Sequence, residues 1–350
     1  MAASIDVVVP VHNHYALTSD CLAHLARQTV PHRVIVVDDG SSDGTPERVR
    51  HDWPQATVVE LAANHGYTRA VNRGVHAGEG EHMVLLNNDV QLRPDCLERL
   101  VAPLREDPRV GSVAALMLEP GERTIDSFGV TADVTLAGFA RLQGHPAADA
   151  QADDRALAAV APRNATAAST GGSSPAAPAV RQRMPVLAGP EGTAGAYRRA
   201  AWEQVGGLDE TIVAYMEILD LALRLRTAGW SAASAPDACG VHLGSSTYGR
   251  RSARQRRLAG FSRGYLLRRY RVLGSRYAAR AVLTEAIVVA GDLAICHDAQ
   301  ALRGRVEGWH AAHGRTPHAR PPGEAIDGFI SVRESLALRR RAVRRPPIDA

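Results

Sequence analysis

Strand-like and helix-like segments alternate without a break from residue 5 to residue 89, and this alternation restricts the fold more than any other feature of the chain. Four short apolar runs fall at residues 5–9, 33–37, 57–61 and 82–86. Helical spacing separates them. Leu17, Cys21, Leu22 and Leu25 share one face, a second helical stretch begins near Pro46, and a third covers residues 67–77. Alternating strands and helices of this length predict an α/β fold, a Rossmann-like, mostly parallel sheet flanked by helices. The apolar runs are continuous rather than alternating, which fits strands buried on both faces.

Ligands of such sheets bind at the carboxyl ends of the strands. The polar residues of interest stand there: His12 and Asn13 after the first run, Asp38 and Asp39 after the second, Asn87, Asn88 and Asp89 after the fourth. Carboxylate and amide oxygens at a strand end suit a hard divalent cation that leaves positions for phosphate oxygens. Asn and Asp also favour turns after strands, so a plain turn is the competing reading. Asp38 and Asp39 repel phosphate directly but can accept hydrogen bonds from a base or a ribose, or help hold a cation. Ser42 or Asp43 could instead cap the next helix. The glycines here do not form the G-x-G-x-x-G fingerprint, which disfavours NAD.

Composition excludes several chemistries. All 41 basic side chains apart from histidine are arginine. Without lysine there is neither a Schiff-base lysine nor a G-x-x-x-x-G-K-[ST] phosphate loop. Cys21, Cys96, Cys239 and Cys296 form no C-x-x-C pair, which argues against structural zinc and for a reducing cytoplasm. The N-terminal residues lack the charge and apolar core of a signal peptide. The most apolar late run, residues 286–295, is too short to span a bilayer.

Residues 145–183 are rich in Ala, Pro, Ser, Thr and Gly and read as a flexible loop of the lid or substrate-binding kind. Order resumes at residues 184–187, followed by a Gly-rich stretch, 189–195, that contains Glu191. Short helices are expected at 200–205 and 216–228. From Gln255 the pattern is helical and Arg-rich, and the basic tail after Leu338 reads as flexible.

Seven segments, in this order, carry a resemblance to a known family: VVVPVHN (7–13), VVDDGSSDGT (36–45), NHGYTRAVNRG (64–74), LLNNDV (85–90), GAYRRAAWEQVGGLDE (195–210), MEILDLALRLRTAGW (216–230) and HLGSST (242–247). Over residues 4–250 the chain resembles the family 2 glycosyltransferases of GT-A fold, bacterial rhamnosyltransferase-like members above all. The resemblance implies an inverting hexosyl- or deoxyhexosyltransferase using a nucleotide-diphosphate sugar and Mg2+ or Mn2+. It implies that Asp39 contacts base or ribose, that Pro10, His12 and Asn13 line the nucleotide pocket, and that Asn64, Gly66 and Asn72 lie beside the donor. Asn87, Asn88 and Asp89 stand where the family has its D-x-D-like motif, making Asp89 the main metal ligand. His242 looks like the late histidine that approaches the metal or diphosphate.

One position departs from the pattern. The family's base lies in an E-D-x-D-like motif, and here the segment reads Glu217-Ile218-Leu219-Asp220, with Ile218 in the usual aspartate's place. Glu217 is the first candidate base, Asp220 the second and Glu191 the third. Glu217 and Asp220, at i and i+3, are expected to share a helix face, a pairing that raises the proton affinity of one of them; the competing readings are that Glu217 favours the positive N-terminal end of its helix and that Asp220 pairs with Arg224 at i+4.

Residues 1–248 are thus expected to form the transferase domain, with a nucleotide-binding half (1–110) and an acceptor half (111–248), and residues 249–350 an Arg-rich helical extension. From Arg250 to Arg280 there is no acidic residue. Those arginines are read first as a solvated face with contacts to the donor phosphates, and second as peripheral contact with the inner face of a membrane. No recognition motif points to nucleic acid. The acceptor is expected to be a glycan, a lipid-linked glycan or a small secondary metabolite. The alternatives are a non-catalytic nucleotide-sugar-binding protein and, disfavoured by the missing lysine, a sugar-nucleotide pyrophosphorylase.

Overall fold

Strand β1 (Ile5–Val11) is buried along almost its whole length and forms the axis of a mixed sheet. The computed structural model describes residues 5–151, 183–244 and 252–343. β1 pairs in parallel with β2 (Arg33–Asp38) and with β4 (His82–Leu86), and β3 (Thr57–Glu60) extends the parallel half beyond β2. Helices α1 (Tyr15–Leu25), α2 (Thr45–Asp52) and α3 (Tyr67–Ala77) make the crossovers. β1, β2 and β4 are each anchored by β-branched or aliphatic side chains on both faces, so helices must cover both.

The second half of the sheet is less regular than the sequence suggests. It contains β5 (Val90–Leu92), β6 (Val110–Leu118), β10 (Ala194–Arg198) and β11 (Ser231–His242), in the order β3-β2-β1-β4-β10-β6-β11-β5. β7 (Ile125–Ser127) pairs with β6, and β8 (Val130–Ala132) forms a hairpin with β9 (Gly138–Ala140). The Gly-rich stretch 189–195 runs into strand β10, which is antiparallel to both β4 and β6. A Cβ on Gly195 would stand 2.4 Å from Pro190, so glycine is what lets the preceding Pro190 segment fold against this strand.

Helix α4 (Cys96–Glu106) packs its apolar face on the sheet. Helices α5 (Arg199–Val205) and α6 (Glu217–Thr227) follow β10. Gly206, at φ 76°, closes α5 in the left-handed conformation that sequence reading expects of a helix-ending glycine. After residue 252 come α7 (Ala253–Arg269), α8 (Ala278–Cys296), α9 (Gln300–Ala311) and α10 (Val332–Val343). The tail after Leu338, expected to be flexible, is helical as far as Val343. Most of the 145–183 loop, 152–182, lies outside the described residues, as do Arg250 and Arg251.

The late helices share a core with the sheet region: Tyr265, Leu266 and Tyr270 pack with Val130, Val134, Leu219 and Leu223. The arginines of this region are largely neutralised from within. Arg263, Arg305 and Arg339 converge on Glu285 at 2.7, 2.8 and 3.0 Å. Arg256 pairs with Asp298, and Arg257 with Glu307. Of the described arginines in the 250–280 stretch, Arg256, Arg257, Arg263 and Arg280 are thus ion-paired, whereas Arg271 and Arg276 remain exposed.

Candidate active site

The carboxyl ends of β1, β2 and β4 open into a cavity of about 420 Å3. Parallel register places these ends together, since Val11 is opposite Asp38 and β1 is flanked by β2 and β4. Pro10, His12, Asp39, Asn64, Asn87, Asn88, Asp89, Glu191, Glu217 and His242 all line it. The remaining foreseen residues do not. Asn13, Asp38 and Gly66 shape the wall from behind, whereas Asn72 and Asp220 are engaged elsewhere.

The loops of the nucleotide side are held by side-chain to backbone bonds. Asp39 accepts the N–H of His65 at 2.8 Å and of Gly66 at 2.7 Å, so its carboxylate fixes the Asn64–Gly66 loop at the start of α3. His12 Nδ1 lies 3.0 Å from the Asp39 carbonyl oxygen. Asn13 accepts the Ser42 N–H at 2.9 Å and donates its own N–H to the Ser41 hydroxyl at 2.7 Å. Asp38 accepts the Ser41 N–H at 2.9 Å, and its Oδ1 is buried with no hydrogen-bond partner among the described residues. Asn72 bonds both the N–H and the carbonyl of Leu208, at 3.1 and 3.0 Å, bracing a loop outside the cavity.

The far wall is brought in by sheet register. His242 ends β11 opposite Val90, so the antiparallel pairing of β11 with β5 sets it beside Asp89. His242 Nε2 is 3.4 Å from Asp89 Oδ2, and His242 Nδ1 is 2.8 Å from Asp126 Oδ2. Burial opposes protonation of this imidazole, but the two carboxylates override it and push its pKa up to about 10.

Glu217 is the first residue of α6 and is buried. Tyr215 and Met216, at φ 66° and 63°, deliver it through two consecutive left-handed residues that are not glycine. Such a turn costs about 1 kcal/mol or more per residue and needs support. Support comes from Thr68, whose hydroxyl donates to the Ile212 carbonyl, and from Ser262 of α7, which donates to Ala214 at 2.9 Å. Burial, aided by the charge of Glu191, pushes the Glu217 carboxyl up to about 7. Its Oε2 is buried and has no hydrogen-bond partner among the described residues. Glu191 accepts the N–H and hydroxyl of Thr193.

Two expectations are corrected here. Asp220 does not pair with Glu217: it is fully buried, 2.7 Å from Arg224 and 3.0 Å from the Tyr270 hydroxyl, and faces the helical region rather than the cavity. The carboxylate that acts on Glu217 is Glu191, from a different segment. Nor do the described arginines reach the cavity, whose lining carries Asp39, Asp89, Glu191 and Glu217 with histidine as the sole basic residue type. Sequence reading also passed over Tyr67, Thr193, Tyr215, Met216 and Phe139, which line it, and Asp126, which touches His242. Of these, Tyr67 and Met216 lay inside quoted motifs.

An acidic cavity can take a diphosphate only with added positive charge. Asp89 and His242, 3.4 Å apart at the cavity wall, supply a carboxylate and an imidazole, donor types that would hold a divalent cation. Among the described residues no cluster of three or more His, Cys, Asp or Glu is arranged to hold a metal. Phosphate oxygens and water would supply the remaining ligands, the usual division for Mg2+ with a phosphate substrate.

Residues 6–141 match the family model Glycosyl transferase family 2. An N-acetylglucosaminyl-diphospho-decaprenol L-rhamnosyltransferase of Mycobacterium tuberculosis is 29% identical over 236 residues, covering 63% of this chain and 69% of the relative. Among solved structures, a mannosyltransferase from Pyrobaculum calidifontis in complex with GDP-Man and Mn2+ superposes with a TM-score of 0.51 at 19% identity, over 98% of this chain and 87% of that one. GalNAc-T7 with UDP, GalNAc and Mn2+ gives 0.54 at 13% identity, over 79% and 52%.

Proposed function

We propose that this chain, similar to family 2 glycosyltransferases and GT-A folded, is a member of that family and transfers a hexosyl or deoxyhexosyl group, with inversion, from a nucleotide-diphosphate sugar to a hydroxyl of a lipid-linked glycan. The observation that carries the reading is Glu217: a buried carboxylate with a free oxygen at the cavity wall and a pKa near 7. A base poised near working pH takes the acceptor proton as attack proceeds. Inversion by in-line displacement needs one such base and no covalent enzyme intermediate.

On the donor side, Asp89 and His242 would hold Mg2+ or Mn2+, which would supply charge to offset that growing on the leaving diphosphate. The acidic lining without arginine supports this, as do the Mn2+ and nucleotides in the two structural neighbours. Pro10, His12, Asn64 and Asn87 border the nucleotide. Asp39 and Gly66 build the loop beside it, and Asp38 and Asn13 brace that loop from behind.

The lipid-linked acceptor is supported by the decaprenol-linked substrate in the name of the mycobacterial relative. Helix α8 supports it too. Among the described residues no helix is long and apolar enough to cross a membrane. Yet α8 exposes Val282, Leu283, Ile287, Leu293 and Ile295, and α9 adds Leu302 and Val306. Arg271 and Arg276, which precede α8 in the chain, and Arg303 of α9 are exposed, while Asp298 and Glu307 are ion-paired with Arg256 and Arg257. Apolar and basic surface together fit an anionic lipid surface, so peripheral contact would centre on α8, with Arg271 and Arg276 of the 250–280 stretch beside its start. Binding to phosphatidylglycerol vesicles should be strong for the wild type and weak for Ile287→Glu. A dimer in solution that ignores vesicles would overturn the assignment.

The function is tested by thermal shift with UDP-, GDP- and dTDP-sugars, with and without Mn2+, followed by assay of the stabilising donor. Metal-dependent stabilisation with sugar release supports the transferase reading. Stabilisation without release, even with lipid-linked acceptors, would favour a non-catalytic sugar-nucleotide binder, the reading that Ile218 alone suggests.

A further inference from the structure

Asp126 stands on β7, is 4% exposed, and lies 116 residues from the imidazole it meets. A histidine can offer either ring nitrogen to a ligand, and the hydrogen bond made by the other nitrogen decides which. Here the outer nitrogen, Nε2, faces Asp89 at 3.4 Å, while Nδ1 is 2.8 Å from the Asp126 carboxylate. We infer that Asp126 is a positioning residue: it accepts the Nδ1–H of His242 and so aims the Nε2 lone pair at the place beside Asp89 where the metal–diphosphate binds. This rests on the metal reading above.

The fold gives the arrangement little freedom. β7 is paired to β6, with Met117 opposite Ser127 and Leu118 opposite Ile125. β6 is in turn paired to β11, with Leu118 opposite Val241. Asp126 and His242 therefore project from strands locked to a common neighbour, and the carboxylate cannot follow the ring if it turns. Burial keeps water from competing for Nδ1, so the bond holds the ring rather than exchanging with solvent. A carboxylate behind a ligating imidazole fixes its orientation and raises its basicity toward the metal.

The test is Mn2+ binding to the full chain, read by electron paramagnetic resonance of free Mn2+ in the presence of UDP or GDP. Wild type, Asp126→Asn, His242→Ala and the double variant are compared. Asp126→Asn should weaken Mn2+ binding about 10- to 100-fold. His242→Ala should weaken it at least as much, and the double variant no further, because Asp126 acts only through the ring. Thermal unfolding without Mn2+ or nucleotide identifies any variant that fails to fold. If Asp126→Asn does, Asp126→Glu, which moves the carboxylate by one methylene, takes its place in the same cycle and should cost about tenfold. Wild-type affinity in the Asp126 variant while His242→Ala loses binding would overturn this assignment alone, as would additive losses in the double variant. Absence of nucleotide-dependent Mn2+ binding in the wild type overturns the metal reading and this inference with it.

Discussion

Glu191 and Glu217, from segments on opposite sides of β10, line one cavity, and the charge of the first adds to burial in raising the proton affinity of the second to a pKa of about 7. The transfer rate should therefore rise with pH through about 7 and level off above it. Glu191→Gln removes a negative neighbour and should move that rise to lower pH. Glu217→Gln should abolish the rise and slow transfer about a hundred- to ten-thousand-fold, with nucleotide binding kept. Stability should move the opposite way. A carboxyl whose folded pKa lies above its ordinary 4.5 destabilises the fold as pH climbs from 4.5 through 7, here by about 3 kcal/mol at full ionisation. Glu217→Gln should thus melt higher than wild type at pH 8 and no higher at pH 4. A pH-rate profile with paired melting curves checks both signs.

Proton and metal compete for His242. The imidazole is held protonated up to about pH 10 by Asp89 and Asp126, so metal binding at Nε2 must displace a proton. Calorimetry of Mn2+ with nucleotide, in buffers of different ionisation heat, should show about one proton released per metal at pH 8 in the wild type. His242→Ala should release close to none, and its affinity should lose the rise with pH.

Asp39 spends both carboxylate oxygens on the backbone of His65 and Gly66. Asparagine there would turn an amide N–H toward one of those donors and leave it unpaired, at a cost of about 1 to 3 kcal/mol. Asp39→Asn should lower the melting temperature and weaken nucleotide binding. Amide hydrogen exchange should quicken at residues 65 and 66 before it does elsewhere on the sheet.

Glu285 is the counter-charge for three arginines, which hold its carboxyl well below the ordinary 4.5 despite burial. A lowered folded pKa contributes stability that is present above pH 4.5 and is lost as pH falls below it. Glu285→Gln leaves three guanidinium groups facing one another and should cost roughly 3 to 5 kcal/mol near neutral pH. The difference from wild type should shrink in acid. Urea unfolding at pH 7 and pH 3 measures it.

The sequence by itself determined what depends on near neighbours along the chain. Apolar runs broken by helical spacing specify strand, helix and crossover, and the polar residues that follow a buried strand must come out at its carboxyl end, which is why Pro10, His12, Asp39 and Asn87–Asp89 reach the cavity. Helix periodicity placed Glu217 and Asp220 near one another, but it could not say which side of α6 faces the cavity and which faces α7. Tertiary structure decided that, giving Glu217 to the cavity and Asp220 to Arg224 and Tyr270. It also decided that a Gly-rich stretch becomes the antiparallel strand β10, that Ser262 steadies the turn before Glu217, and that Asp126 meets His242. Apart from the i,i+4 pair Asp220–Arg224, each of these contacts joins segments dozens of residues or more apart through sheet register or helix docking. Their energy comes from burying both partners together, and no local pattern records it.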